Sequence, residues 1–160
     1  VRAWMDDLKE KGVYKLDGET TSRLQGLFWG GYATEEQTME SIRKTYNEYG
    51  YVIDPHTAVG KWVYDDYRKK TKDRRKTILA STASPFKFAG DVLRSLVGEE
   101  AMKDKDEFML LDMLSDIARM EIPIGLRGLD KTPILHNTLC SKEDMRNIIS
   151  SFLKLDGVIK

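Results

Sequence analysis

A chain of 160 residues in which 26 lysines and arginines match 26 aspartates and glutamates has no net field to draw it onto nucleic acid or an anionic membrane. Its 41% hydrophobic and 32% charged residues fit one folded domain spanning 1–160, not a disordered tail, and no apolar run approaches the roughly 20 residues that cross a bilayer. The lone Cys140 excludes an internal disulfide and fits a reducing compartment, the cytoplasm.

Helical periodicity is already running at the first residue, so the chain is expected to be a piece of a longer protein. Val1, Trp4, Met5 and Leu8 recur at helix spacing, and Gly12 ends that segment. Leu24, Leu27 and Phe28 make a second apolar stripe, closed by Gly30-Gly31. Thr34 with Gln37 forms a capping box, in which each side chain satisfies the other residue's orphan N–H. Met39, Ile42, Tyr46 and Tyr49 are expected to be the buried face of the helix it opens, and Gly50 takes its carboxyl end.

Tyr51 to Ile53 reads as a short strand. Asp54 then caps a helix with Pro55 at its first position, where a missing N–H costs nothing; Ala58, Val59, Trp62 and Val63 carry it onward. The basic run Lys69 to Lys76 lacks interleaved aromatics and reads as a solvated helix end and loop. Lys76 to Ala80 reads as a buried strand. Ser84-Pro85 repeats the cap-then-proline signal, with Phe88, Val92, Leu93 and Leu96 following up to Gly98.

Phe108, Leu111, Leu114, Ile117 and Ala118 mark another helix, and Glu121 to Lys131 a loop. Pro133 to His136 reads as a strand. Ser141 with Asp144 opens a last helix whose core face is Met145, Ile148, Ile149, Phe152 and Leu153. Helices with short strands between them make a helix-rich, three-layer α/β arrangement.

Two blocks stand out, Tyr49-Gly-Tyr-Val-Ile-Asp-Pro-His-Thr-Ala-Val-Gly60 and Ile78-Leu-Ala-Ser-Thr-Ala-Ser-Pro-Phe-Lys-Phe88. In each, an apolar run ends in small or hydroxylic residues and hands over to a helix start, the sheet edge where open α/β folds place ligands. Ser84 is needed as a cap. Thr82 is not, so its hydroxyl is free to meet a heterocycle. His136 and Cys140, four apart, fall short of a zinc site, because His56 is the remaining histidine and zinc takes three or four protein ligands. No metal site is expected, and Asp65-Asp66 and Glu99-Glu100 read as solvated faces.

The blocks YGYVIDPHTAVG and ILASTASPFKF resemble the carboxyl-terminal region of threonine synthase of the bacterial and fungal kind, a pyridoxal-phosphate enzyme built like the tryptophan synthase β subunit. The lead-in FWGGYATEEQTMESIRKTYNEYGY and the closing EIPIGLRGLDKTPILHNTLCSKEDMRNIISSFL are similar to that family too, so the resemblance runs over almost the whole chain. It implies a lyase of threonine biosynthesis, converting the small molecule O-phosphohomoserine and water to threonine and phosphate. It implies Thr82, with Ser81 as runner-up, as the hydroxyl that meets the cofactor's pyridine nitrogen. His56 and Thr57 resemble positions near the family's site, and Lys87 is a candidate cation for the substrate phosphate.

The family's cofactor-attaching lysine, in a Phe-Lys-Asp segment, and its phosphate loop have no counterpart here. Phe86-Lys87-Phe88 lies in the wrong block to replace them. The chain is therefore expected to hold no catalytic residue, to bind no pyridoxal phosphate covalently and to be inactive alone. It is also expected to self-associate through apolar surface that a missing neighbour would cover. Two other readings stay open: a stand-alone non-catalytic binding or regulatory module of this fold, and another pyridoxal-phosphate lyase or dehydratase built the same way.

Overall fold

Thr34 and Gln37 exchange the two expected hydrogen bonds, Gln37 N–H to Thr34 Oγ1 at 3.2 Å and Thr34 N–H to Gln37 Oε1 at 2.9 Å. The computed structural model, which describes residues 1–154, is built from helices opened by such caps. Its α-helices are α1 (Arg2–Lys11), α2 (Gly18–Leu27), α3 (Glu35–Tyr49), α4 (Pro55–Thr71), α5 (Ala89–Val97), α6 (Glu107–Ala118) and α7 (Met145–Phe152). Short 3-10 turns lie at Pro85–Phe88, Glu100–Met102 and Leu129–Lys131. The chain divides into two compact units, Val1–Pro123 and Ile124 onward.

In the first unit α3 packs on both α4 and α5, and α6 packs on α5. Ile42, Ala58, Val92, Leu93 and Leu114 are essentially sealed from solvent where these helices meet. Burying each of the larger ones contributes about 1.5–3 kcal/mol. Polar ties cross the same seams. Arg43 Nε donates to the Ser95 carbonyl at 3.0 Å, and the Ser41 hydroxyl donates to the Ala58 carbonyl at 3.0 Å.

The buried face of α3 differs from the expected one. Ser41, Ile42 and Thr45 are buried, whereas Tyr49 is 68% exposed. Small hydroxylic residues allow the close approach to α4, and their hydroxyls find carbonyls, Thr45 Oγ1 bonding Ser41 O at 2.7 Å. Gly50 closes α3 in the left-handed conformation, at φ 64°, as expected.

Among the described residues no segment pairs as a strand. Tyr51–Ile53 is unpaired, although Val52 and Ile53 are buried. The segment 76–80, expected to be buried, is exposed throughout, with Ile78 96% exposed. In 133–136, Ile134 and Leu135 are likewise exposed. A strand exists only when a neighbour's backbone supplies the other half of the ladder, and no described segment does so.

The basic run ends α4 as expected. Lys72 closes the helix and Asp73 organises the turn, accepting from Tyr67 Oη at 2.6 Å and from the Arg75 guanidinium.

In the second unit the Leu129–Lys131 turn lies within the expected loop, and Ser141 and Asp144 bond each other just ahead of α7. The expected core face of α7 is not buried: Ile149 is 51% and Phe152 77% exposed. A unit of this size has too little chain to wrap a helix on its own.

Candidate functional site: the joint between two helix starts

Asp54 is fully buried at the start of α4. Its Oδ1 accepts from the backbone N–H groups of His56 at 2.9 Å and Thr57 at 3.2 Å, the ordinary work of an N-cap. Its Oδ2 accepts from the Thr57 hydroxyl and, at 3.2 Å, from the Ser81 hydroxyl, 27 residues further along. The hydroxyl oxygens of Thr57 and Ser81 lie 2.9 Å apart. One carboxylate thus ties the two sequence blocks together.

Burial pushes the Asp54 carboxyl up, but the hydrogen bonds from Thr57, Ser81 and His56 outweigh it and hold the group below the ordinary carboxylate range. The group remains an anion with its acceptor sites occupied. The first amides of α4 point at Asp54, so they offer little to an external anion.

Of the five residues singled out from sequence, Thr57 and Ser81 meet directly at this carboxylate. Thr82 follows Ser81, is exposed and hydrogen-bonds to no described residue. His56 and Lys87 gather on a different side chain, Phe88. The His56 ring meets the Phe88 edge at 5.2 Å between centroids and 84° between planes, and Lys87 Nζ lies 5.9 Å from the Phe88 ring centre. His56 also borders a groove of about 300 Å³ with Met39, Val59, Asp91 and Arg94.

A larger open groove, about 790 Å³, is lined by Phe28, Trp29, Gly60, Tyr67, Arg75 and Ile78 among others. None of the five singled-out residues lines it. It holds its own polar network, Asp73 accepting from Tyr67 Oη and from the Arg75 guanidinium, whereas the singled-out Thr57 and Ser81 meet at Asp54. The larger groove escaped the sequence reading because Trp29, Tyr67 and Ile78 belong to separate segments with no shared motif. The role of Asp54 was half visible: Asp-Pro announces a cap, but nothing local announces Ser81 as its second partner.

No protein-family model matches the chain. Over 89 residues, 56% of the chain, it is 34% identical to human threonine synthase-like 1, covering 12% of that protein. Over 103 residues, 61% of the chain, it is 34% identical to threonine synthase of Saccharomyces cerevisiae, covering 20% of it. The chain therefore spans about an eighth to a fifth of these relatives. A crystal structure of pyridoxal-phosphate-bound threonine synthase from Brucella melitensis superposes with a TM-score of 0.54 at 22% identity, over 96% of this chain and 28% of that one. The chain is related in sequence to the carboxyl-terminal part of threonine synthases and shares the helix-rich α/β fold of the pyridoxal-phosphate-bound enzyme.

Proposed function

We propose that residues 1–160 serve as one carboxyl-terminal region of a cytoplasmic, pyridoxal-phosphate-dependent threonine synthase. That enzyme converts O-phosphohomoserine and water to threonine and phosphate. The observation carrying this reading is the joint at Asp54, where the Ser81 hydroxyl is bonded to the carboxylate while exposed Thr82 has no hydrogen-bond partner among the described residues. Bound pyridoxal phosphate supplies an electron sink for carbanions on the substrate.

The donor set fits that group at its pyridine nitrogen. Asp54 is the nearby carboxylate, but it is buried and committed to four donors. Thr82 is the remaining candidate, and an uncharged hydroxyl cannot hold a ring nitrogen protonated as a carboxylate would. Exposed Lys87, beside the Phe88 ring that His56 also meets, is the cation available for a substrate phosphate.

The test is turnover by the full polypeptide that carries this chain. Equimolar threonine and phosphate from O-phosphohomoserine is the expected result. Deamination of serine or threonine instead would assign a dehydratase of the same fold, and no turnover with retained ligand binding would assign a binding module. The 160-residue chain alone is expected to take up no cofactor in a borohydride-reducible form, because the family's attaching lysine has no counterpart in it.

A further inference from the structure

The segment that carries Thr82 has little else to hold it. Residues 76–82 are exposed and join no strand pairing among the described residues. For residues 78–83, the hydrogen bonds among the described residues are those of the Ser81 hydroxyl, which donates to Asp54 Oδ2 at 3.2 Å and lies as acceptor 2.9 Å from Thr57 Oγ1. Leu79 lies near Gly60 of α4. A β-carbon built on Gly60 of α4 would lie 4.0 Å from Leu79 Cδ2, yet Leu79 is 39% exposed. On the far side the next tie among the described residues is Ser84, which caps the Pro85–Phe88 turn.

Asp54 is oversupplied for a cap. One carboxylate oxygen satisfies the first amides of α4; the other faces two hydroxyls, one of them distant in sequence. Burying a charge is costly unless it is fully hydrogen-bonded, so an anion kept here is paired with donors that must stay in place. The pairing acts in both directions: the carboxylate fixes Ser81, and Ser81 helps keep the carboxylate satisfied.

We propose that Asp54, acting through Thr57 and Ser81, is a positioning residue that pins the 78–83 segment and so presents the Thr82 hydroxyl to a heterocyclic nitrogen. This rests on the reading of Thr82 given above. Asp54 touches no ligand itself; it sets where Thr82 stands.

The test uses the full polypeptide carrying this chain, with Ser81→Ala, Thr57→Val, Thr57→Ser and, as a control in the same segment, Thr77→Val. Amide exchange over residues 78–83, followed by mass spectrometry without cofactor, reads the tether directly. Ser81→Ala and Thr57→Val are expected to speed that exchange about tenfold or more, with Thr57→Ser and Thr77→Val near the parent. In the same variants the dissociation constant for pyridoxal phosphate should rise about tenfold, as for loss of one oriented hydrogen bond. The absorption spectrum of the bound cofactor should shift with it, and the global unfolding midpoint should fall by no more than the loss of one hydrogen bond to Asp54, less in Ser81→Ala, where the residue is exposed, than in Thr57→Val, where it is buried. Unchanged exchange in Ser81→Ala overturns the proposal, whatever the enzyme does. Faster exchange with unchanged cofactor affinity and spectrum also overturns it, because the tether then positions nothing the cofactor uses. A polypeptide that binds no pyridoxal phosphate in any form defeats the functional reading, and with it the presentation of Thr82, while the exchange result still reports on the tether.

Discussion

Gly31 lies against Val63 of α4 so closely that a β-carbon on the glycine would stand 2.9 Å from Val63 Cγ1 and 3.1 Å from Cγ2. The segment linking α2 to α3 is thereby seated on α4 with no room for a side chain. Valine is stiff about χ1, so its methyls cannot swing away freely. Gly31→Ala is expected to destabilise the fold by about 1–2 kcal/mol through overpacking, and Gly31→Ala combined with Val63→Ala should cost less than the sum of the two. A double-mutant cycle by urea denaturation measures the coupling; strict additivity would mean that the segment lifts off α4 at no cost.

Thr34→Ala removes one half of the capping box that opens α3. The expected loss is about 1 kcal/mol, with the denaturation midpoint lowered and the slope unchanged. A slope change would point to altered compactness instead.

Asp54→Asn keeps the shape and removes the charge. Its amide group places donors where Oδ2 now accepts, so the Thr57 and Ser81 hydroxyls must turn to accept instead and their charge-assisted bonds are lost. At neutral pH the expected cost is about 2–4 kcal/mol. The folded-state pKa of Asp54 is depressed, so its contribution is complete above the unfolded value of about 3.9 and is lost as pH falls through the lower folded value. The stability gap between parent and variant should therefore be flat near neutrality and close in acid. Asp17 and Asp73 are also held low, chiefly by hydrogen bonds from Thr20 and Arg75 respectively, but both variants retain them and the difference isolates Asp54. A gap that widens in acid would contradict this assignment.

Thr82→Val changes an exposed residue with no hydrogen-bond partner among the described residues. Stability should stay within about 0.5 kcal/mol of the parent. In the full polypeptide, turnover of O-phosphohomoserine should nevertheless fall by about tenfold or more, while Thr82→Ser retains most of it. Equal losses from valine and serine would show that shape, not the hydroxyl, matters there.

What the sequence made legible was local. The capping box at Thr34 and Gln37, the glycine ends of α1 and α3, the Asp54-Pro55 start of α4 and the Ser84-Pro85 turn all appear where their spacing put them. Each depends on a few consecutive residues, which is why propensity and capping chemistry suffice. The strands were not legible in the same way, because 76–80 has the composition of one but takes its state from a partner that no periodicity names. The burial of α7 failed for the same reason: Ile148, Ile149 and Phe152 share a face, yet nothing in the second unit covers it. At the candidate site, small hydroxylic residues after an apolar run pointed to the right neighbourhood. The link from Ser81 to Asp54 spans 27 residues, and no local rule reaches that far.

Because one carboxylate both starts α4 and holds Ser81, fraying of that helix's first turn and release of the serine segment are expected to be coupled. Ligand contacts made by Thr82 would then be felt at the amides of His56 and Thr57, and their protection would report occupancy from a distance. A binding signal could thus be read at the backbone of α4 without any probe on the ligand itself.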